Sequence, residues 1–106
     1  MDNPIKQVKL NQLEYNSNRD PQVYRKVINK PFDLNVRLAG SGSVKVALTV
    51  AGETLSESDV SLPGAFTANP SFDSAGTRLG TVTVSKDDES FSTHVRFDVM
   101  EHDWIG

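Results

Sequence analysis

Residues 91–99 hold the pattern that most restricts what this chain can become. Phe91, Thr93, Val95, Phe97 and Val99 share one parity, and Ser92, His94, Arg96 and Asp98 share the other. Successive side chains of a strand point to opposite faces, so this segment predicts a strand with one apolar and one wet face. Upstream, Thr81-Val82-Thr83-Val84 repeats the alternation, and such residues suit a pleated, half-buried surface better than a helix. With Lys86-Asp87-Asp88-Glu89-Ser90 as the polar connection, residues 72–99 read as a turn followed by a long antiparallel hairpin. Its apolar face requires a second sheet to dry it. Gly76 is placed for a turn of positive φ. Gly80 shares the parity of Val82 and Val84, which predicts a bulge or the close approach of another backbone there.

The rest of the chain reads as further short strands. Residues 5–15 form a first strand with a bulge or bend near Gln12, because Val8 and Leu10 lie on one parity and Leu13 and Tyr15 on the other. After a polar turn at residues 16–21, Asp20-Pro21 could cap a short helix bearing Val23, Tyr24, Val27 and Ile28. Pro31 leaves it only about two turns, so the extended reading is preferred. Phe32, Leu34, Val36 and Leu38 alternate with Asp33, Asn35 and Arg37 in a second strand. Ala39-Gly40-Ser41-Gly42-Ser43 predicts a turn, and Val44, Val46, Leu48 and Val50 a third strand, paired with its predecessor as a hairpin. A turn at Ala51-Gly52-Glu53 leads to a short edge segment at Thr54-Leu55 and a brief strand through Val60 and Leu62. Residues 63–75 predict a surface crossover, with Phe66 and Phe72 plugging the end of the core. Strands at this spacing predict an all-β fold, an antiparallel two-sheet sandwich of about seven strands, forming a single domain over residues 1–106.

Totals narrow the function classes. With 106 residues, 37% hydrophobic and 24% charged, the composition is that of a folded globular domain. A formal charge of -3 provides no basic stripe for nucleic acid and no polybasic patch for anionic lipid. No apolar run approaches the roughly 20 residues needed to span a bilayer, so membrane insertion is not expected. The chain has no cysteine, which excludes disulfides and thiolate metal sites. Met1-Asp2-Asn3-Pro4 has neither a basic nor an apolar leader region, so the sequence reads either as cytosolic or as a module of a longer exported chain.

Residues that could carry chemistry are few. His94 falls on the wet parity of the last strand. His102 sits between Glu101 and Asp103, whose side chains would diverge on an extended chain instead of converging on a metal. Asp87-Asp88-Glu89 lacks the alternating carboxylates and central glycine of the twelve-residue calcium loop and reads as a solubilising hairpin tip. Gly40-Ser41-Gly42 opens into a strand, which excludes a phosphate-cradling loop. No catalytic residue, cofactor or metal site is therefore expected. The candidate binding or interdomain contacts are Tyr15 and Tyr24, as aromatic platforms, and Trp104 with Ile105 in the tail.

Residues 31–38, Ser74-Ala75-Gly76-Thr77, Val82-Thr83-Val84 and Phe97-Asp98-Val99 together resemble the strands of immunoglobulin-like and fibronectin-III-like accessory modules of bacterial exported proteins. Asn11-Gln12-Leu13-Glu14-Tyr15 is similar to the opening of the immunoglobulin-like domain that precedes some cellulase catalytic domains. The resemblance implies an extracellular or periplasmic, non-catalytic structural module whose partner is a neighbouring domain or another protein. Two alternatives remain open: a module binding carbohydrate or another cell-surface polymer, and a stand-alone assembly or phage component.

Overall fold

A computed structural model describes residues 3–11, 13–15 and 25–101, and among them every regular element is a strand. They are β1 (Ile5–Leu10), β2 (Leu13–Glu14), β3 (Lys26–Val27), β4 (Leu34–Val50), β5 (Glu53–Ala68), β6 (Gly76–Lys86) and β7 (Glu89–Met100). Hydrogen bonding joins all seven into one curled sheet of order β2-β1-β4-β6-β7-β3, with β5 on the other side of β4. The expected all-β class is thus observed. The pairing is antiparallel except where β3 runs parallel to β7.

The spine is β4, and it corrects the expected turn at residues 39–43. The strand passes straight through that segment. From Leu38 to Gly42 it advances four residues while β5 advances two, from Gly64 to Leu62, leaving two surplus residues in a bulge. Because the surplus is even, parity survives. Leu34, Val36 and Leu38 before the bulge and Val44, Val46, Leu48 and Val50 after it are all buried on the same face. Gly40 (φ 124°) and Gly42 (φ 85°) adopt conformations that side-chain-bearing residues rarely reach, so the glycines that suggested a turn instead permit the bend. The two halves of β4 consequently do not pair with each other. Residues 34–38 pair with β1, and residues 45–50 pair with β6.

Downstream of the spine, β4 reverses through Ala51 (φ 54°) and Gly52 (φ 80°), with Val50 opposite Glu53. Two consecutive positive φ values are the mark of a type I′ hairpin turn, whose twist matches that of the strands. The returning β5 is a second correction. The short segments expected at Thr54-Leu55 and Val60–Leu62, together with the first half of the expected crossover, are one continuous strand from Glu53 to Ala68. Its polar Ser56-Glu57-Ser58-Asp59 run and Pro63 hid it, but an edge strand tolerates both. Phe66 is 1% exposed, while Phe72 is only partly buried against the core.

The N-terminal expectation changes too. A reversal after Asn11 (φ 55°) folds β2 back on β1, pairing Leu10 with Leu13 and Lys9 with Glu14, in place of one bulged strand. Leu13 is therefore 38% exposed and does not join the core. The helix-or-strand question for residues 20–28 is answered only at Lys26–Val27, which is a strand; residues 16–24 lie outside the described residues.

The expected hairpin forms as β6 and β7, in unbroken register from Gly76 opposite Val99 to Lys86 opposite Glu89. Gly76 has φ 135°, as anticipated. Gly80 marks a close approach, but the neighbour is a side chain. A Cβ placed there would lie 2.6 Å from Phe97 Cε2, and the registers across Gly80 show no bulge. Phe32, Phe72 and Phe97 meet at this end, with ring centroids 5.0 Å apart for Phe32 and Phe97 and 5.7 Å for Phe72 and Phe97. Phe32 precedes β4 and Phe97 belongs to β7, so the contact links the two arms of the curl. Burying the Phe32 and Phe97 rings contributes roughly 1.5–3 kcal/mol each.

Candidate functional site

The outer edge of β7 is tied to the N-terminal strands through a tyrosine hydroxyl. Tyr15, just past β2, is half-buried, and its hydroxyl accepts a hydrogen bond from the Arg96 backbone N–H at 3.1 Å. It thus ties β2 to β7 across the opening of the curl. Tyr15→Phe is expected to lower unfolding free energy by about 0.5–1.5 kcal/mol in urea titration, whereas a free platform residue would give no change. Of the other candidate contacts, Tyr24, Trp104 and Ile105 lie outside the described residues, as does His102.

Two residues further along, the alternation fails. Asp98, expected on the wet face, is 7% exposed. Its Oδ1 accepts from Thr77 Oγ1 at 2.7 Å and from Arg96 Nε at 3.0 Å. Thr77 is its cross-strand partner in the β6–β7 register, and Arg96 shares its face two residues away. A buried carboxylate is tolerable when such donors replace water. Asp98→Ala is expected to cost about 1–3 kcal/mol, and a double-mutant cycle with Thr77→Val should return a coupling of about 0.5 kcal/mol or more. Zero coupling would refute the pairing.

Two hollows flank the sheet. One, of about 430 Å³, opens at the end of β4 among Val50, Leu55, Phe72 and Arg78, with Glu53 and Asp73 at its rim. The Arg78 guanidinium lies 4.6 Å over the Phe72 ring and Nη2 donates to Ser74 Oγ at 2.6 Å, while Nη1 is buried without a partner. The other, of about 690 Å³, lies where β4 exchanges β1 for β6, between Lys6, the Ala39–Ser41 bulge and the tip at Asp87 and Asp88. There Lys86 Nζ donates to the Ser41 carbonyl at 3.2 Å, spanning the gap in the ladder. Both hollows mix acids and bases, so neither presents a field of one sign.

Groups that could carry chemistry are dispersed. His94 is exposed and meets only the Thr81 hydroxyl, at 3.2 Å. Among the described residues no three His, Asp or Glu side chains converge where a metal could sit. What the geometry leaves open is backbone. β5 pairs with β4 alone, so its far side, from Glu53 to Ala68, has no ladder partner among the described strands. Reading the sequence as two short segments missed this edge. The one available signal was that Val60, Leu62, Phe66 and Ala68 keep a common parity across Pro63-Gly64. Compared with known protein families, curated proteins and solved structures, the chain matches none.

Proposed function

We propose that this chain is a non-catalytic interaction module with an immunoglobulin-like sandwich arrangement, working as part of a larger bacterial extracellular or periplasmic protein. In this reading the curled sheet acts as two layers sharing the bent β4–β5 pair. β2, β1, the first half of β4 and the second half of β5 make one layer. The opposite halves with β6, β7 and β3 make the other. The Phe32–Phe97 contact supports it, because it brings residues from either layer into one core.

The observation that carries the functional reading is the side of β5 that has no partner among the described strands, since a sheet edge is a surface on which another extended chain can add by main-chain hydrogen bonds. The described aromatics favour protein over polysaccharide as partner. Phe32, Phe66 and Phe97 are fully buried, Phe72 is covered by Arg78 and the Tyr15 hydroxyl is engaged, which leaves the half-buried Phe91 of β7 and, among the described residues, no row of exposed rings for a sugar chain to stack on. Reading the coding sequence on both sides of this segment tests the proposal. Adhesive or catalytic domains in the same frame, behind an export signal, are the expected result. A stop codon directly after Gly106 with no upstream coding sequence would overturn it.

A further inference from the structure

We propose that two copies of this chain join edge to edge through Gly64–Ala68 of β5, antiparallel about a two-fold axis at Phe66. This rests on the interaction-module reading and names its partner. The choice of segment follows from how charge and proline are distributed along the open edge. In the first half of β5, Glu53, Glu57 and Asp59 are exposed. Self-pairing there, centred on Ser58, would set Glu57 of each copy opposite Asp59 of the other, and like charges directly opposite destabilise a sheet. The register shift between Leu48 and Thr49 of β4 also makes β5 irregular at Leu55. Pro63, next along, has no N–H to give to a neighbour.

Past Pro63 lies Gly64-Ala65-Phe66-Thr67-Ala68, which contains neither charge nor proline and holds regular register against Leu34–Leu38. Asn69-Pro70 closes its far end. Among the described residues, it is the stretch of this edge that no charge, proline or neighbouring strand protects against pairing. Centred on Phe66, an isologous pair sets Gly64 opposite Ala68 and Ala65 opposite Thr67, twice over by symmetry. Ala65 and Thr67 are exposed and small, so neither side chain bars the approach. The Phe66 ring is buried beneath the sheet and fixes the backbone without obstructing it. In this register the acidic half of each copy overhangs the end of the partner's strand instead of facing the partner's own acidic half. A contact this short belongs to the weak class of interface, with a dissociation constant expected on the order of 0.1 mM. Since each copy carries a formal charge of -3, added salt should strengthen it.

Sedimentation equilibrium of the full chain from about 10 µM to about 1 mM tests this, with the charge variants A65K/T67K and A65K/T67E alongside. Wild type should pass from monomer to dimer. The lysine–lysine variant, which sets like charges opposite each other at both symmetric positions, should dissociate about tenfold more readily than the lysine–glutamate variant. Amide exchange within residues 64–68 of the wild type should slow as its concentration rises, a readout that needs no substitution. A monomer throughout, equal behaviour of the two variants, or concentration-independent exchange would overturn the proposal. Any of these would leave the module reading intact, because that reading is decided by the flanking coding sequence.

Discussion

Phe97→Ala is expected to remove about 3–5 kcal/mol of stability, a large part of the 5–15 kcal/mol that a domain of this size possesses. The side chain is fully buried. Its ring stands edge-on to Phe32 at 5.0 Å and tilted against Phe72 at 5.7 Å, so truncation removes transfer energy, two ring contacts and the filling of the space between them. Because Phe32 and Phe97 come from the two arms of the curl, the cavity would open where the arms meet. Urea unfolding should show a midpoint lower by roughly 2 M at an unchanged slope. Phe97→Leu, which keeps most of the volume, should cost less than about 1.5 kcal/mol. Leu79→Ala serves as the contrast, since Leu79 is 60% exposed and its loss should stay within about 0.5 kcal/mol. Equal effects at the two positions would mean that the aromatic contact does not join the arms.

Gly80→Ala is the second large effect, and a single methyl group causes it. The added Cβ would meet Phe97 Cε2 at 2.6 Å, with Leu48 Cδ1 and Val50 Cγ2 at 3.3 Å. No real Cβ sits that close, and the nearest atom belongs to a ring held by two other rings, so the neighbour has little room to yield. A cost of about 1–3 kcal/mol is expected, as for other overpacked cores. This is opposite in sign to the usual gain from replacing glycine inside a strand. The cause is checked by repeating the substitution in the Phe97→Leu background, which removes the clashing atom. There the penalty should fall by about 1 kcal/mol or more. An identical penalty in both backgrounds would place the strain somewhere other than this contact.

The β6–β7 hairpin was legible in the sequence because Val82 and Val84 in one arm and Val95, Phe97 and Val99 in the other keep one parity and are buried, and period-two burial is a local property. For the same reason the sequence places Leu34, Val36, Leu38, Val44, Val46, Leu48 and Val50 inward, as observed, while dividing the one strand that contains them into two. Gly40 and Gly42 carry the same local signal whether they turn the chain or widen a bulge. The two cases differ only in whether β5, β1 and β6 are present to pair with each half. β5 itself was hidden because an edge strand has polar neighbours on most sides, so its pattern gives no alternation to find along Ser56–Asp59.

The sites divide in the same way. Gly80 was legible as a point of close approach because its parity is local, yet the identity of the neighbour depends on the register that sets it opposite Val95 and near Phe97. Asp98 was misplaced because alternation describes two faces and knows nothing of a covered outer one. Only the pairing with Thr77 and the reach of Arg96 supply the donors that make its burial tolerable. By itself the sequence determined the strand character of the described residues and the inward set of their longest strands, because these follow from side-chain chemistry and spacing along the backbone. Tertiary structure decided where β4 changes partners, which strand is left with an open side, and what Tyr15 does. Those are matters of which backbone groups find partners, and every residue except proline carries the same N–H and C=O, so residue type alone does not encode the answer.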